Sequence, residues 1–216
     1  MNYLTHTMCE KALGRLKSFH SQLKSVYENN DMEFLDDLGR RNILMSKAQE
    51  KYFAAALKEA YPLTISCGLT GQPDIVLPDL NRELECKITS KHKGGSWSLQ
   101  SDYETLKRKG SLDYLYVLCD KDFEEFAVFH FIDLDVDDFR PLSPGARGKV
   151  AMRLSKGLKK CNVLFGSITD NAQINLAKAK SKLEIANSAS EKKRLQKSIS
   201  FWKKNSSYSF NLASCG

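Results

Sequence analysis

The chain has 216 residues, 42% of them hydrophobic, with 33 Lys and Arg against 26 Asp and Glu for a net charge of +7. That length can bury a full core in one domain, and the composition fits a soluble globular protein. No apolar run approaches the ~20 residues of a membrane span, the N-terminus does not resemble a signal peptide, and the six cysteines (9, 67, 86, 119, 161 and 215) form no CxxC pair, so a cytoplasmic protein with reduced thiols is expected.

In chain order, Glu10 to Tyr27 reads as a helix, followed by a polar turn and another short helix to about Asp37. Ser46-Lys47-Ala48-Gln49 has capping-box spacing and predicts a helix from there to about Ala60, ended by Tyr61-Pro62. Within it Glu50, Phe53, Ala54 and Leu57 fall at i, i+3, i+4 and i+7, so an acid rides on the apolar stripe. An acid near a helix N-terminus is also favoured by the dipole, by roughly a few tenths of a kcal/mol, which gives Glu50 a purely structural reading as well.

Gly71-Gln72-Pro73-Asp74 is a turn that starts a strand, and Asp79-Leu80-Asn81-Arg82 has the composition of a second turn, so residues 74 to 88 read as a β-hairpin. Closing it there sets Pro78 opposite Glu83, Val76 opposite Glu85 and Asp74 opposite Lys87. Facing residues share a side, as do residues two apart, so Asp74, Glu83, Glu85 and Lys87 project one way while Ile75, Leu77, Leu84, Cys86 and Ile88 project the other. A one-residue slip would scramble this partition. An amphipathic hairpin with its charged face in water is the plain alternative. Pro78-Asp79, a second Pro-Asp pair, belongs to the turn.

Ser90 to Trp97 forms a basic loop in which Gly94 and Gly95 allow close backbone approach and Lys91 and Lys93 can neutralise phosphates. Trp97 either stacks on a base or fills a crevice, the commoner use of a tryptophan. Gln100, Tyr103 and Glu104 open a helix through Lys109. Asp113 to Cys119 and Phe126 to Ile132 read as two further strands, with His130 a core residue of the second. Asp133-Leu-Asp-Val-Asp-Asp138 lacks the glycine and distal glutamate of a calcium loop and reads as a strand end and turn facing away from any polyanion. The elements make an α/β domain with a mixed sheet flanked by helices on both faces.

Charge divides the chain: residues 147 to 204 hold 15 Lys and Arg against 3 acids, a net of +12, leaving −5 elsewhere. Arg147, Lys149, Arg153 and Lys156 begin this stretch with no acid among them, the footprint of a polyanion binder. A loosely periodic helical run near 172 to 204, interrupted around Asn187-Ser188, follows; it reads equally as a solvated helical hairpin or a partner-binding arm.

Pro73-Asp74 with Glu85-Cys86-Lys87, on consecutive strands after a helix carrying an acid, resembles the PD-(D/E)XK nuclease superfamily, to which many type II restriction endonucleases belong. The resemblance covers residues 43 to 135. It implies a restriction-endonuclease-like core with a central mixed β-sheet flanked by helices (43–145), between an N-terminal helical region (1–42) and a basic helical C-terminal region for DNA or a partner (146–216). It further implies that Asp74 and Glu85 hold Mg²⁺, with Mn²⁺ able to substitute, that Lys87 positions or activates water, that Glu50 is an added ligand or neighbour, and that Gln100 occupies a place where some families carry a glutamine. The chemistry suits these residue types: two carboxylates can hold a hard cation that lowers the pKa of water and neutralises phosphate charge. The expectation is an endonuclease for double-stranded DNA, a homodimer if its site is symmetric. Its rivals are a structure-specific or repair nuclease and a non-enzymatic nucleic-acid binder.

Overall fold

The computed structural model describes residues 2–67, 69, 71–90, 98–145, 148–166 and 169–206. Lys91, Lys93, Gly94, Gly95, Trp97 and Arg147, singled out above, lie outside them.

The N-terminal helix α1 (His6–Glu28) starts at Thr5, whose hydroxyl accepts the Met8 N–H, and buries Cys9, Ala12, Leu13, Leu16 and His20 along one stripe. Residues 29–37 turn without forming the second short helix expected there. Helix α2 (Leu38–Lys58) then starts at Asp37, whose carboxylate accepts the N–H groups of Gly39 and Arg40. The cap lies nine residues earlier than the capping-box spacing suggested: Ser46 is mid-helix with its hydroxyl on the Ile43 carbonyl, and Gln49 is buried. A carboxylate satisfying two orphan donors outcompetes a serine that can bond back along the helix. The line drawn between 42 and 43 therefore falls inside one helix.

The strands are β1 (Ile65–Ser66), β2 (Ile75–Leu77), β3 (Arg82–Ser90), β4 (Gln100–Asp102), β5 (Ser111–Cys119), β6 (Phe126–Asp135), β7 (Lys149–Ala151) and β8 (Cys161–Phe165). Six of them form one mixed sheet in the order β1-β2-β3-β5-β6-β8, while β4 and β7 form a separate antiparallel ribbon. Within the main sheet β3 and β5 are parallel and the other neighbours antiparallel. Helix α3 (Tyr103–Lys109) provides the crossover between β3 and β5, and α4 (Leu154–Gly157) precedes β8. Gln100 thus stands on the ribbon rather than on the helix it was expected to open. Residues 149–165 are strands and short helices of the ribbon and sheet, so the helical C-terminal region begins at α5 (Thr169–Glu184) and continues in α6 (Ala189–Ser206).

Along β5, Leu115, Val117 and Cys119 face a core shared with α1, α2 and the β2–β3 residues Ile75, Leu77, Leu84 and Cys86. Tyr114, Tyr116 and Leu118 face a second core completed by Leu106 of α3 and Leu99, Val150 and Met152 of the ribbon region. The sheet is sandwiched, as strict alternation along buried strands requires. His130 is fully buried in β6, its Nδ1 at 2.8 Å from the Asn2 side-chain oxygen, and burial holds its imidazole down at about 3. Asp135 and Asp138 are tied by Lys160, and Asp133 by Arg82. Among the described residues no helix is long and apolar enough to cross a membrane.

Because β6 opposes both β5 and β8, strands β3, β5 and β8 run the same way and their C-terminal ends lie together. The basic helices α5 and α6 therefore leave the sheet from the end at which β3 finishes at Ser90. They pack on each other, with Ala179, Ala186 and Leu195 buried. Ser188 caps α6 through the Glu191 N–H, 3.1 Å away, at the expected interruption.

Gly166 links β8 to this hairpin with φ +67, and a Cβ there would sit 2.5 Å from the Phe126 carbonyl oxygen. Gly110 has φ +80 but nothing within 4 Å of its Cβ position. Gly166→Ala is expected to destabilise by about 2–4 kcal/mol and Gly110→Ala by about 1 kcal/mol; denaturant unfolding of the two variants checks the contrast, and equal losses would refute it.

Candidate active site

The β2–β3 turn closes over Pro78–Leu80 in a single 3-10 turn, with Asn81 at φ +51. Val76 then pairs with Glu83 and Leu77 with Arg82, two residues away from the expected register. A shift of two preserves parity, so the partition of faces stands: Ile75, Leu77, Leu84 and Cys86 are buried, Ile88 packs partly against them, and the charged residues lie on the other side. Asp79 stays in the turn, its carboxylate accepting the Leu63 N–H at 3.0 Å. Continuing the pairing by one step sets Asp74 beside Glu85 instead of Lys87.

Asp74 is held where β2 begins. Its backbone carbonyl accepts the Cys67 N–H at 3.0 Å, and its Oδ2 accepts the Cys86 N–H at 2.7 Å. The preceding turn needs Gly71, at φ +79, and its carbonyl accepts a bond of 2.7 Å from Arg108 Nη2 of α3. On β3 the Lys87 ammonium bonds the Glu85 carboxylate. Glu83, grouped with these acids by parity, is instead paired with Lys109 of α3 at 2.8 Å.

Burial, then the neighbouring Glu85 carboxylate, push the Asp74 carboxyl up to about 6, against the opposing pull of the Cys86 N–H and Lys87; Glu50 adds to the rise. Burial disfavours charge on Lys87, but Glu85 and Asp74 outweigh it and hold the amine above its ordinary value. In this pairing the Lys87 amine acts as a hydrogen-bond donor to Glu85.

Glu50 lies in the middle of α2, its side chain 12% exposed and bonded to Lys47 at 2.6 Å, and its charge is felt at Asp74. Lying three turns into the helix, it is beyond the reach of the N-terminal dipole. One residue earlier, Gln49 donates from its amide to the Lys87 carbonyl at 3.2 Å and is in reach of the Leu115 carbonyl at 3.5 Å. It ties α2 to the β3–β5 pair beneath the charged face. Sequence reading used Gln49 as a cap and missed this role, along with those of Lys47 and Arg108; the one available signal was a glutamine adjoining an acid on an otherwise apolar stripe.

The donor chemistry fits a hard divalent ion. Asp74 and Glu85 could supply oxygen ligands from adjacent strands, their repulsion is the kind a cation relieves, and Mg²⁺ commonly binds through one or two carboxylates while keeping its waters. Among the described residues no group of three His, Cys, Asp or Glu stands ready as a complete ligand set, so water would fill the remaining positions.

A cavity of about 220 Å³ opens beside Lys87 and is lined also by Thr89, Gln100, Tyr116 and Lys149. Two of the residues read as nucleic-acid contacts, Gln100 and Lys149, thus meet the lysine of the motif from remote parts of the chain. Arg153 and Lys156 do not line it. The larger cavity, about 480 Å³, lies at the other end of β3 around Arg82, Asp113 and Asp133.

With its carboxyl raised to about 6, folded Asp74 holds its proton more tightly than the unfolded chain does. The stabilisation this confers in acid is lost as pH rises through that value. Asp74→Asn should therefore raise stability at pH 7.5 by about 1 kcal/mol, less than the shift alone implies because the group is only part-buried, and the advantage should fade towards pH 4. Thermal unfolding at both pH values without divalent cation tests this; no gain at pH 7.5 would remove the repulsion account.

No protein-family model and no curated protein matches the sequence.

Proposed function

We propose that this chain is a Mg²⁺-dependent endonuclease of the PD-(D/E)XK kind that hydrolyses phosphodiester bonds of double-stranded DNA, most simply a sequence-specific type II restriction enzyme working as a homodimer. The observation that carries this reading is the convergence of Asp74, Glu85 and Lys87 on one face of the β2–β3 hairpin, with Asp74 bonded to the Cys86 N–H and close enough to Glu85 for their repulsion to lift its pKa. The mixed sheet flanked by helices is in keeping with the core the resemblance implies. The basic hairpin α5–α6, leaving the sheet at the end where β3 finishes, supplies charge that attracts a polyanion.

Asp74 and Glu85 would hold the ion, with Glu50 behind them. When bound it would lower the pKa of a water and neutralise charge on the phosphate. Lys87, released from Glu85, would donate to a non-bridging phosphate oxygen or orient the attacking water, charge stabilisation that costs little reorganisation in a part-buried site. Water oxygen attacks phosphorus in line, the bond to the leaving ester oxygen breaks, and that oxygen takes up a proton, giving a phosphomonoester and a hydroxyl.

Plasmid or phage DNA incubated with and without Mg²⁺ should give discrete fragments that vanish with chelator. Asp74→Asn and Lys87→Ala should each lower cleavage by about 10²–10³-fold or more, while duplex binding in a gel shift stays within a few-fold. Cleavage retained by either variant would overturn the assignment. Nicking confined to branched substrates would redirect it to a structure-specific nuclease, and binding without any turnover would leave a nucleic-acid-binding protein.

A further inference from the structure

The cavity beside Lys87 has one wall on β3 and the other on the β4–β7 ribbon. On β3, Lys87 and Thr89 share the face of Glu85, since they are two residues apart. The ribbon contributes Gln100 and Lys149. It is no loose flap: Tyr116 donates to the Gln100 carbonyl at 2.8 Å, the Tyr114 and Ser101 hydroxyls meet at 2.5 Å, and Met152 N–H donates to the Leu99 carbonyl at 2.8 Å. Leu99, Ser101, Val150 and Met152 are buried beneath it. Lys149 is therefore carried by a strand that these bonds and this burial tie to the main sheet.

The lining is chemically one-sided. The Lys149 ammonium, the Thr89 and Ser98 hydroxyls and the Gln100 amide can all donate, while the Lys87 ammonium is paired with Glu85. The sole carboxylate, Asp102, is already engaged in capping α3 through the Thr105 N–H at 2.8 Å. Lys149 stands opposite Asp102 in the ribbon, yet no ion pair holds Lys149 among the described residues. Such a lining suits a tetrahedral oxyanion with ester substituents better than a planar, uncharged base, and phosphate contacts of this kind fix register along a strand.

We infer that this cavity seats the phosphodiester adjacent to the one being cut, with Lys149 as its principal cation and Thr89 and Gln100 as neutral donors. The assignment rests on the nuclease reading of Asp74, Glu85 and Lys87. It makes the ribbon a positioning wall: one phosphate on Lys149 would place its neighbour against Lys87.

The test is fluorescence anisotropy with a labelled duplex of about 25 base pairs in chelator, titrated at several salt concentrations, on the wild type and three variants. Lys149→Ala is expected to weaken binding roughly 3–10-fold and to lower the slope of log K against log salt by about one. Lys149→Arg should restore most of the affinity. Lys24→Ala on α1, whose helix packs on the opposite core, removes the same charge and should leave affinity within about twofold. In cleavage assays the Lys149→Ala defect should fall on KM more than on kcat. Wild-type affinity and slope in Lys149→Ala, an equal loss in Lys24→Ala, or no duplex binding by the wild type would each overturn the inference. Lys149-dependent binding by a wild type that cuts nothing in Mg²⁺ would uphold the phosphate seat and overturn only the nuclease reading.

Discussion

Strand β3 is hydrogen-bonded on both sides, to β2 in the antiparallel sense and to β5 in the parallel sense. Two partners fix its rotation about its own axis, which leaves each side chain only two directions. Leu84 and Cys86 are committed to the core under α1 and α2, so Glu85 and Lys87 have no choice but the other face. The placement of the charged cluster is thus a by-product of hydrophobic burial. Moving either charge out of line would demand turning an apolar side chain into water, at about 1.5–3 kcal/mol for each one fully exposed.

Around this strand the charges are nearly all answered. Glu83 has Lys109, Glu85 has Lys87 and Glu50 has Lys47, while the buried Asp113 accepts from the Tyr3 hydroxyl and the Asp133 N–H. Asp74 is the exception: its bond is to a backbone N–H and no ion pair holds it among the described residues. A part-buried carboxylate compensated in this way remains costly. On the nuclease reading, Asp74 and Glu85 would together hold a divalent ion, and Lys87, now paired with Glu85, would serve as the donor to phosphate.

Much of the hairpin was legible because its information is modular. The register predicted from turn composition was off by two residues, since Asn81 takes the left-handed corner that closes the turn, yet Ile75, Leu77, Leu84, Cys86 and Ile88 kept the core face. The helix before it was legible in its end but not its start, because Asp37 caps through a side chain lying well upstream of the apolar stripe. The ribbon was not legible at all. Three-residue strands carry too little alternation to register, and the meeting of Gln100 with Ala151 depends on a connection of almost fifty residues. Local pattern could nominate Lys149 only as one cation in a basic stretch; its position beside Lys87 is a tertiary fact.

Cys86 lies between the two charged residues of the motif in sequence but points into the core, where burial raises its thiol well above the ordinary value. A thiol so placed is shielded and protonated, and therefore inert until the strand itself comes loose. Its alkylation rate, set against that of the half-buried Cys67, would time the opening of the backbone that carries Glu85 and Lys87. The chain carries its own clock for local unfolding at the place where rigidity matters most.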